Sequence, residues 1–168
     1  MRFLPDLRDH APPALLAARV MAMAGDAAGA AHRQCPHGIG RVCVDLFGIL
    51  SERGRDPLID RAVVLGLSGF AGGLLSLEAE RLMARLADKR FIRLAGGKLV
   101  PFATSAIRYR RERLLAPPDR LYLTVWDAAG ATLAIIDRPL PAAGRGLPSS
   151  LPLTAEAAAR RPLARLPG

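Results

Sequence analysis

The chain has 168 residues, which suits one ordinary domain with extensions and is too short for two large domains. Apolar residues make up 51% but aromatic residues only 5%, so the expected core is helical and built from small side chains. Two cysteines exclude a disulfide framework, and a formal net charge of +9 favours polyanions, with nucleic acid ahead of anionic membrane.

Asp6, Arg8 and Asp9 precede the first apolar stretch and Arg19 interrupts it, so a signal peptide is not expected and a cytoplasmic location is the default. The longest uncharged run, 62–77, is shorter than a membrane span and holds four glycines, so no membrane partner is expected. Residues 14–24 are strong helix formers, with Pro12 and Pro13 suited to a first turn. Their low charge implies packing against something, and a homodimer through 14–30 is the expectation. Across 38–53 the apolar positions Ile39, Val42, Val44, Leu46, Phe47, Ile49 and Leu50 predict a buried helix, with Arg41, Asp45 and Glu52 outward. Gly54 ends it and Asp56-Pro57 makes a turn.

The segment 61–75 is ambiguous. Val63 to Leu67 reads as a short strand or extended lead-in, followed by a short helix near 69–74 that Gly69, Gly72 and Gly73 weaken. Residues 76–90 form the clearest helix. Ser76 is a good N-cap, and Glu78 and Glu80 favour the positive end of the helix dipole. Ala79, Leu82, Met83 and Leu86 make the apolar stripe, and Arg81, Arg85 and Lys89 share a face at four-residue spacing. Residues 91–102 read as a hairpin of FIRL and KLVPF around Ala95-Gly96-Gly97, with Arg93 and Lys98 flanking the turn. Residues 105–115 form a basic amphipathic stretch, and 120–138 a second hairpin turning at Asp127 to Gly130. From Pro139 onward, Pro, Gly, Ala and Arg dominate, which predicts a disordered tail.

The charge is localised. From Arg81 to Arg113 ten cations face only Asp88 and Glu112, a surplus of +8 in one segment. A helix leading straight into a small basic hairpin is the winged-helix arrangement. The stretch from Ile39 to Phe102, and above all SLEAERLMARLADKRFIRLAGGKLV, resembles the DNA-binding domain of Crp/Fnr-type bacterial regulators. The resemblance implies a mainly α fold with small β hairpins (α+β), a winged helix-turn-helix over 31–103. An N-terminal helical segment of dimerisation type (1–30), a basic helix and β hairpin extension (104–138) and the disordered tail (139–168) surround it.

It also implies a transcriptional regulator, not an enzyme, that binds double-stranded DNA. Ser76, Glu78 and Arg81 would face base edges in the major groove, and Arg85, Lys89, Arg90, Arg93 and Lys98 would contact phosphates. The alternative is a basic interaction module that binds RNA or an acidic protein in a larger assembly. The few residues ahead of the matched stretch leave no room for the family's sensor roll, so no cofactor is implied.

His32, Cys35, His37 and Cys43 have zinc-ligand chemistry, but H-x2-C-x-H-x5-C matches no common finger, so no metal is assigned. A buried Cys43 would act as a small hydrophobe. His10, His32 and His37 have no nucleophile beside them in a recognisable motif. Trp126, Tyr122 and Tyr109 are expected to pack within the core or hairpin.

Overall fold

The computed structural model describes residues 13–95, 97–112 and 118–140. Within these the fold is mixed α+β, with three helices and a mixed four-stranded sheet. Helix α1 (Pro13–Gln34) leads to strand β1 (Ile39–Phe47), then to helix α2 (Pro57–Leu67) and helix α3 (Leu77–Lys89). A short hairpin follows, β2 (Phe91–Arg93) and β3 (Leu99–Pro101). The chain then returns to the main sheet as β4 (Ile107–Tyr109), β5 (Arg120–Asp127) and β6 (Thr132–Pro139).

The main sheet has the order β4-β1-β5-β6. Strand β1 runs parallel to β4 and antiparallel to β5, and β6 closes the edge antiparallel to β5. Side chains alternate across a strand, so register assigns each residue to a face. Val42, Val44 and Leu46 pair with Val125, Leu123 and Leu121; Ile107 pairs with Val44, and Ile136 with Leu123. All of these are buried. They form the layer under the helices, where α1 crosses β5 and β6 and packs along α2. The opposite face carries Arg41, Cys43, Asp45 and Phe47 from β1, Tyr122, Thr124 and Trp126 from β5, and Arg108 from β4.

Several expectations are corrected here. The segment 38–53 is not a helix: its first half is the central strand β1, followed by a single 3-10 turn at Gly48–Leu50. Residues 42–47 of β1 are buried whichever face they point to, so the apolar run is nearly continuous and imitates a buried helix. Val63 to Leu67 lies in α2, not in a strand. Asp56 caps that helix by accepting the Leu58 amide, and Pro57 occupies its first turn. No helix forms over 69–74. Where a basic helix is expected, residues 104–109 form a 3-10 turn at Thr104–Ala106 and the parallel strand β4, and 113–115 lie outside the described residues. With 38–53 extended, a helix-turn-helix lacks the first helix of its core. Strands at 39–47, 107–109 and 120–127 lie side by side, so residues on either side of position 104 share one core.

Helix α3 and both hairpins form where the sequence places them. Helix α1 runs past Gly25 and Gly29 to Gln34. By length and composition it could cross a membrane. In the fold it instead buries Ala17, Val20, Met23, Ala24, Ala27, Ala28, Ala30 and Ala31 against the chain's own α2 and sheet. That face is consumed internally, so it cannot also be the homodimer face expected of 14–30. Past Leu140 the tail lies outside the described residues.

Candidate functional site

The sheet face turned away from the helices is not uniformly polar. Next to β4 it holds an ionic cluster around Asp45, whose side chain is 8% exposed. Arg108 Nη2 donates to Asp45 Oδ2 at 2.9 Å. Its Nε lies 2.8 Å from Oδ1, and Arg110 Nε lies 3.5 Å from the same oxygen. A carboxylate this secluded requires its cations, because removing them would leave a buried charge unpaired.

One residue pair along β1, the Cys43 thiol donates to the Ala106 carbonyl at 3.2 Å. Burial pushes the Cys43 thiol above its ordinary pKa, the Asp45 charge adds to this, and Arg108 opposes it. The thiol is therefore held protonated, which suits a packed side chain better than a nucleophile.

Farther along the same face, the Arg41 guanidinium stacks over Trp126, with Cζ 4.3 Å from the ring centroid. This contact fixes a cation on an aromatic floor and is worth about 0.5–1 kcal/mol at an exposed position. Here β2 and β3 approach the sheet and an open cleft of about 430 Å³ forms between them. Pro101, Ala106 and Trp126 lie along its apolar part, and Arg41, Arg90 and Arg108 supply its cations. Arg90 ends α3 in the left-handed conformation at φ 55°, its amide bonded to the Leu86 carbonyl. It is the one non-glycine residue with positive φ among the described residues. For a long side chain this backbone costs about 1–2 kcal/mol, where glycine would incur almost nothing. The Arg90 carbonyl accepts the Phe102 amide at 2.9 Å, so the strained residue is also pinned to the cleft wall.

The residues singled out by sequence are distributed differently. Ser76 is the N-cap of α3, accepting the Ala79 amide at 3.2 Å. Glu78, Arg81, Arg85 and Lys89 are exposed along α3, and Lys89 sits 3.8 Å from Asp88. Arg93 donates across its own hairpin to the Gly97 carbonyl at 2.7 Å. Arg93 and Lys98 line a second shallow cleft of about 470 Å³ with His32 and Cys35. Of the eight, only Arg90 reaches the arginine cleft. Among the described residues no three His, Cys, Asp or Glu side chains converge on a point.

Arg41, Arg108 and Trp126 are not among the site residues expected from the sequence. Their signal is the alternation Arg41-Val42-Cys43-Val44-Asp45-Leu46-Phe47, which puts three polar or polarisable groups on one face of a strand.

Compared with known families, the chain matches the serine dehydratase beta chain over residues 12–136. The match begins just before α1, takes in every strand of the main sheet and ends within β6. The chain belongs to the serine dehydratase beta chain family. No individually curated protein matches it.

Membership of the serine dehydratase beta chain family overturns the Crp/Fnr resemblance. The reading as a DNA-binding transcription regulator falls with it, as do double-stranded DNA as partner, the basic RNA- or protein-binding module and the statement that the chain is not part of an enzyme. The physical reason is that the matched run is local. A capped amphipathic helix followed by a glycine-turned hairpin arises wherever a helix hands over to two short strands. In this chain that unit flanks a sheet made from segments far apart in sequence.

Proposed function

We propose that this chain is the β subunit of a serine dehydratase, an L-serine ammonia-lyase, and acts in complex with a companion chain. The observation that carries this is the extent of the family match, which covers both long packing helices α1 and α2 and the complete sheet order. The net reaction converts L-serine to pyruvate and ammonia, the water eliminated first being taken up again when the resulting imine hydrolyses. A cytoplasmic location accompanies this reading.

The surface supports a subunit role. On the β2–β3 hairpin Ile92 and Val100 point inward and are buried, while Phe91 and Leu99 point outward at 50% and 56% exposure. Two such side chains on one face of a three-residue hairpin offer apolar area to another protein.

The test is co-expression with the companion chain and assay of L-serine-dependent pyruvate formation. A stable complex whose activity needs both chains is the expected result. A companion that is fully active alone and never co-purifies with this chain would overturn the assignment.

A further inference from the structure

We infer that the cleft between the open sheet face and the β2–β3 hairpin binds a small organic anion, an oxyanion group on a short apolar body. The inference stands on the cleft's own chemistry and does not depend on assembly with a companion chain. Three guanidinium groups from three separate elements meet there: Arg41 on β1, Arg90 at the end of α3 and Arg108 on β4. Arg108 is committed to Asp45. Among the described residues neither Arg41 nor Arg90 has an acidic side chain within ion-pairing distance. Arg41 and Arg90 thus line the cleft without a counter-charge, and a guanidinium is suited to bidentate contact with a carboxylate or phosphate.

Two further observations point to a ligand rather than to a merely solvated surface. Arg90 keeps its side chain at a left-handed position that glycine would occupy without strain, and strain of this kind concentrates at ligand sites. The cations also rise from an apolar floor. Trp126 lies under Arg41, and Pro101 and Ala106 line the same cleft. Such a floor adds little for a bare inorganic ion and favours a ligand with a carbon skeleton.

Trp126 is the chain's single tryptophan, so its fluorescence reports on this cleft alone. The full chain is titrated with acetate, pyruvate, succinate and inorganic phosphate in about 0.15 M sodium chloride, where weak surface pairing is screened. Saturable quenching by at least one organic acid, tighter than by inorganic phosphate, is expected. Arg90→Gly removes the side chain yet suits the backbone, and should weaken that binding about tenfold or more with an unchanged circular dichroism spectrum. Arg41→Gln, followed by calorimetry because it alters the Trp126 environment, should do the same. Arg81→Gln deletes an equal charge outside the cleft and should leave affinity unchanged.

Two results would overturn the inference: no saturable response to any organic acid, or equal losses in Arg81→Gln and Arg90→Gly. Loss of subunit assembly with retained ligand binding would instead count against the subunit role and leave the cleft assignment standing.

Discussion

Gly25 on α1 and Gly66 on α2 face each other where the two helices cross, and neither position has room for an ordinary side chain at its present spacing. A Cβ added to Gly66 would lie 2.3 Å from the Met21 carbonyl oxygen and 2.7 Å from Ala24 Cβ. A Cβ on Gly25 would lie 3.3 Å from the Gly66 oxygen. The crossing therefore brings backbone against backbone, and the run of buried alanines on α1 is the rest of the same close approach. Alanine at position 66 gains about 1 kcal/mol of helix propensity but must push two helices apart, and overpacking of this kind costs about 1–3 kcal/mol. Gly66→Ala should be net destabilising in urea titrations, while Gly25→Ala, with only a few tenths of an ångström to recover, should stay near neutral. Equal effects at the two sites would show that the helices do not cross there.

Arg55, Asp60 and Tyr109 lock β4 to α2. Arg55 Nη1 donates to both Asp60 oxygens, at 3.1 and 2.9 Å, and Arg55 Nη2 donates to the Ile107 carbonyl at 2.7 Å. The Tyr109 hydroxyl donates to Asp60 Oδ1 at 2.8 Å. Burial raises the Tyr109 pKa above its ordinary 10.0, and the Asp60 hydrogen bond and charge push in the same direction. A group whose pKa rises on folding stabilises the fold below its unfolded pKa and loses that contribution as pH rises toward the folded value. Stability should therefore fall as pH climbs past about 10, where the unfolded tyrosine ionises and the folded one does not. Tyr109→Phe should be about 1 kcal/mol less stable at neutral pH and show a flatter alkaline limb. Thermal melts of both proteins from pH 8 to 11 test this; parallel curves would remove Tyr109 from the account.

What the sequence disclosed follows from how local each signal is. Helix α3 carries its own cap at Ser76, its own stripe and its own C-terminal stop, so it reads without tertiary help. The 120–138 hairpin reads equally well because β5 alternates buried Leu121, Leu123 and Val125 with less buried neighbours. Strand β1 misled because Arg41 and Asp45 are four apart. That spacing puts two residues on one face of a helix and also on one face of a strand. The partners that decide between the two, β4 and β5, lie more than sixty residues away in the chain. Helix α2 was hidden by Val63, Val64 and Gly66, whose weak helix propensity is outweighed by burial against α1. The arginine cleft was unreadable for the same reason: Arg41, Arg90 and Arg108 meet only after β1, α3 and β4 have been brought together.

The Asp45 cluster sets the behaviour of Cys43. Asp45→Asn keeps the shape but removes the charge that helps raise the thiol pKa, leaving Arg108 and Arg41, which lower it. The thiol should then ionise at lower pH and alkylate faster near pH 8, because only the thiolate reacts. In a Cys35→Ser background, which isolates Cys43, the rate of iodoacetamide labelling by mass spectrometry gives the answer directly. The variant should also lose about 1–3 kcal/mol, since Arg108 and Arg110 are left without their shared carboxylate. Unchanged labelling across pH 7 to 9 would mean that burial alone governs the thiol.

The hairpin surface makes the last prediction. Phe91 and Leu99 are half exposed or more, and their outward direction is fixed because Ile92 and Val100 between them are buried. Replacing either with aspartate removes little packing from the folded chain, so each variant alone should stay within about 0.5 kcal/mol of the parent. At a protein–protein interface the same change buries a charge against an apolar partner and costs about 2 kcal/mol or more, a loss of more than tenfold in affinity. Phe91→Asp should therefore elute as a folded chain but fail to co-purify with the companion chain, and pyruvate formation by the mixture should fall in step. Leu133→Asp, a 40%-exposed position on the edge strand β6, serves as the comparison because it adds the same charge to a different surface. If Phe91→Asp assembles as well as Leu133→Asp, the companion chain docks elsewhere.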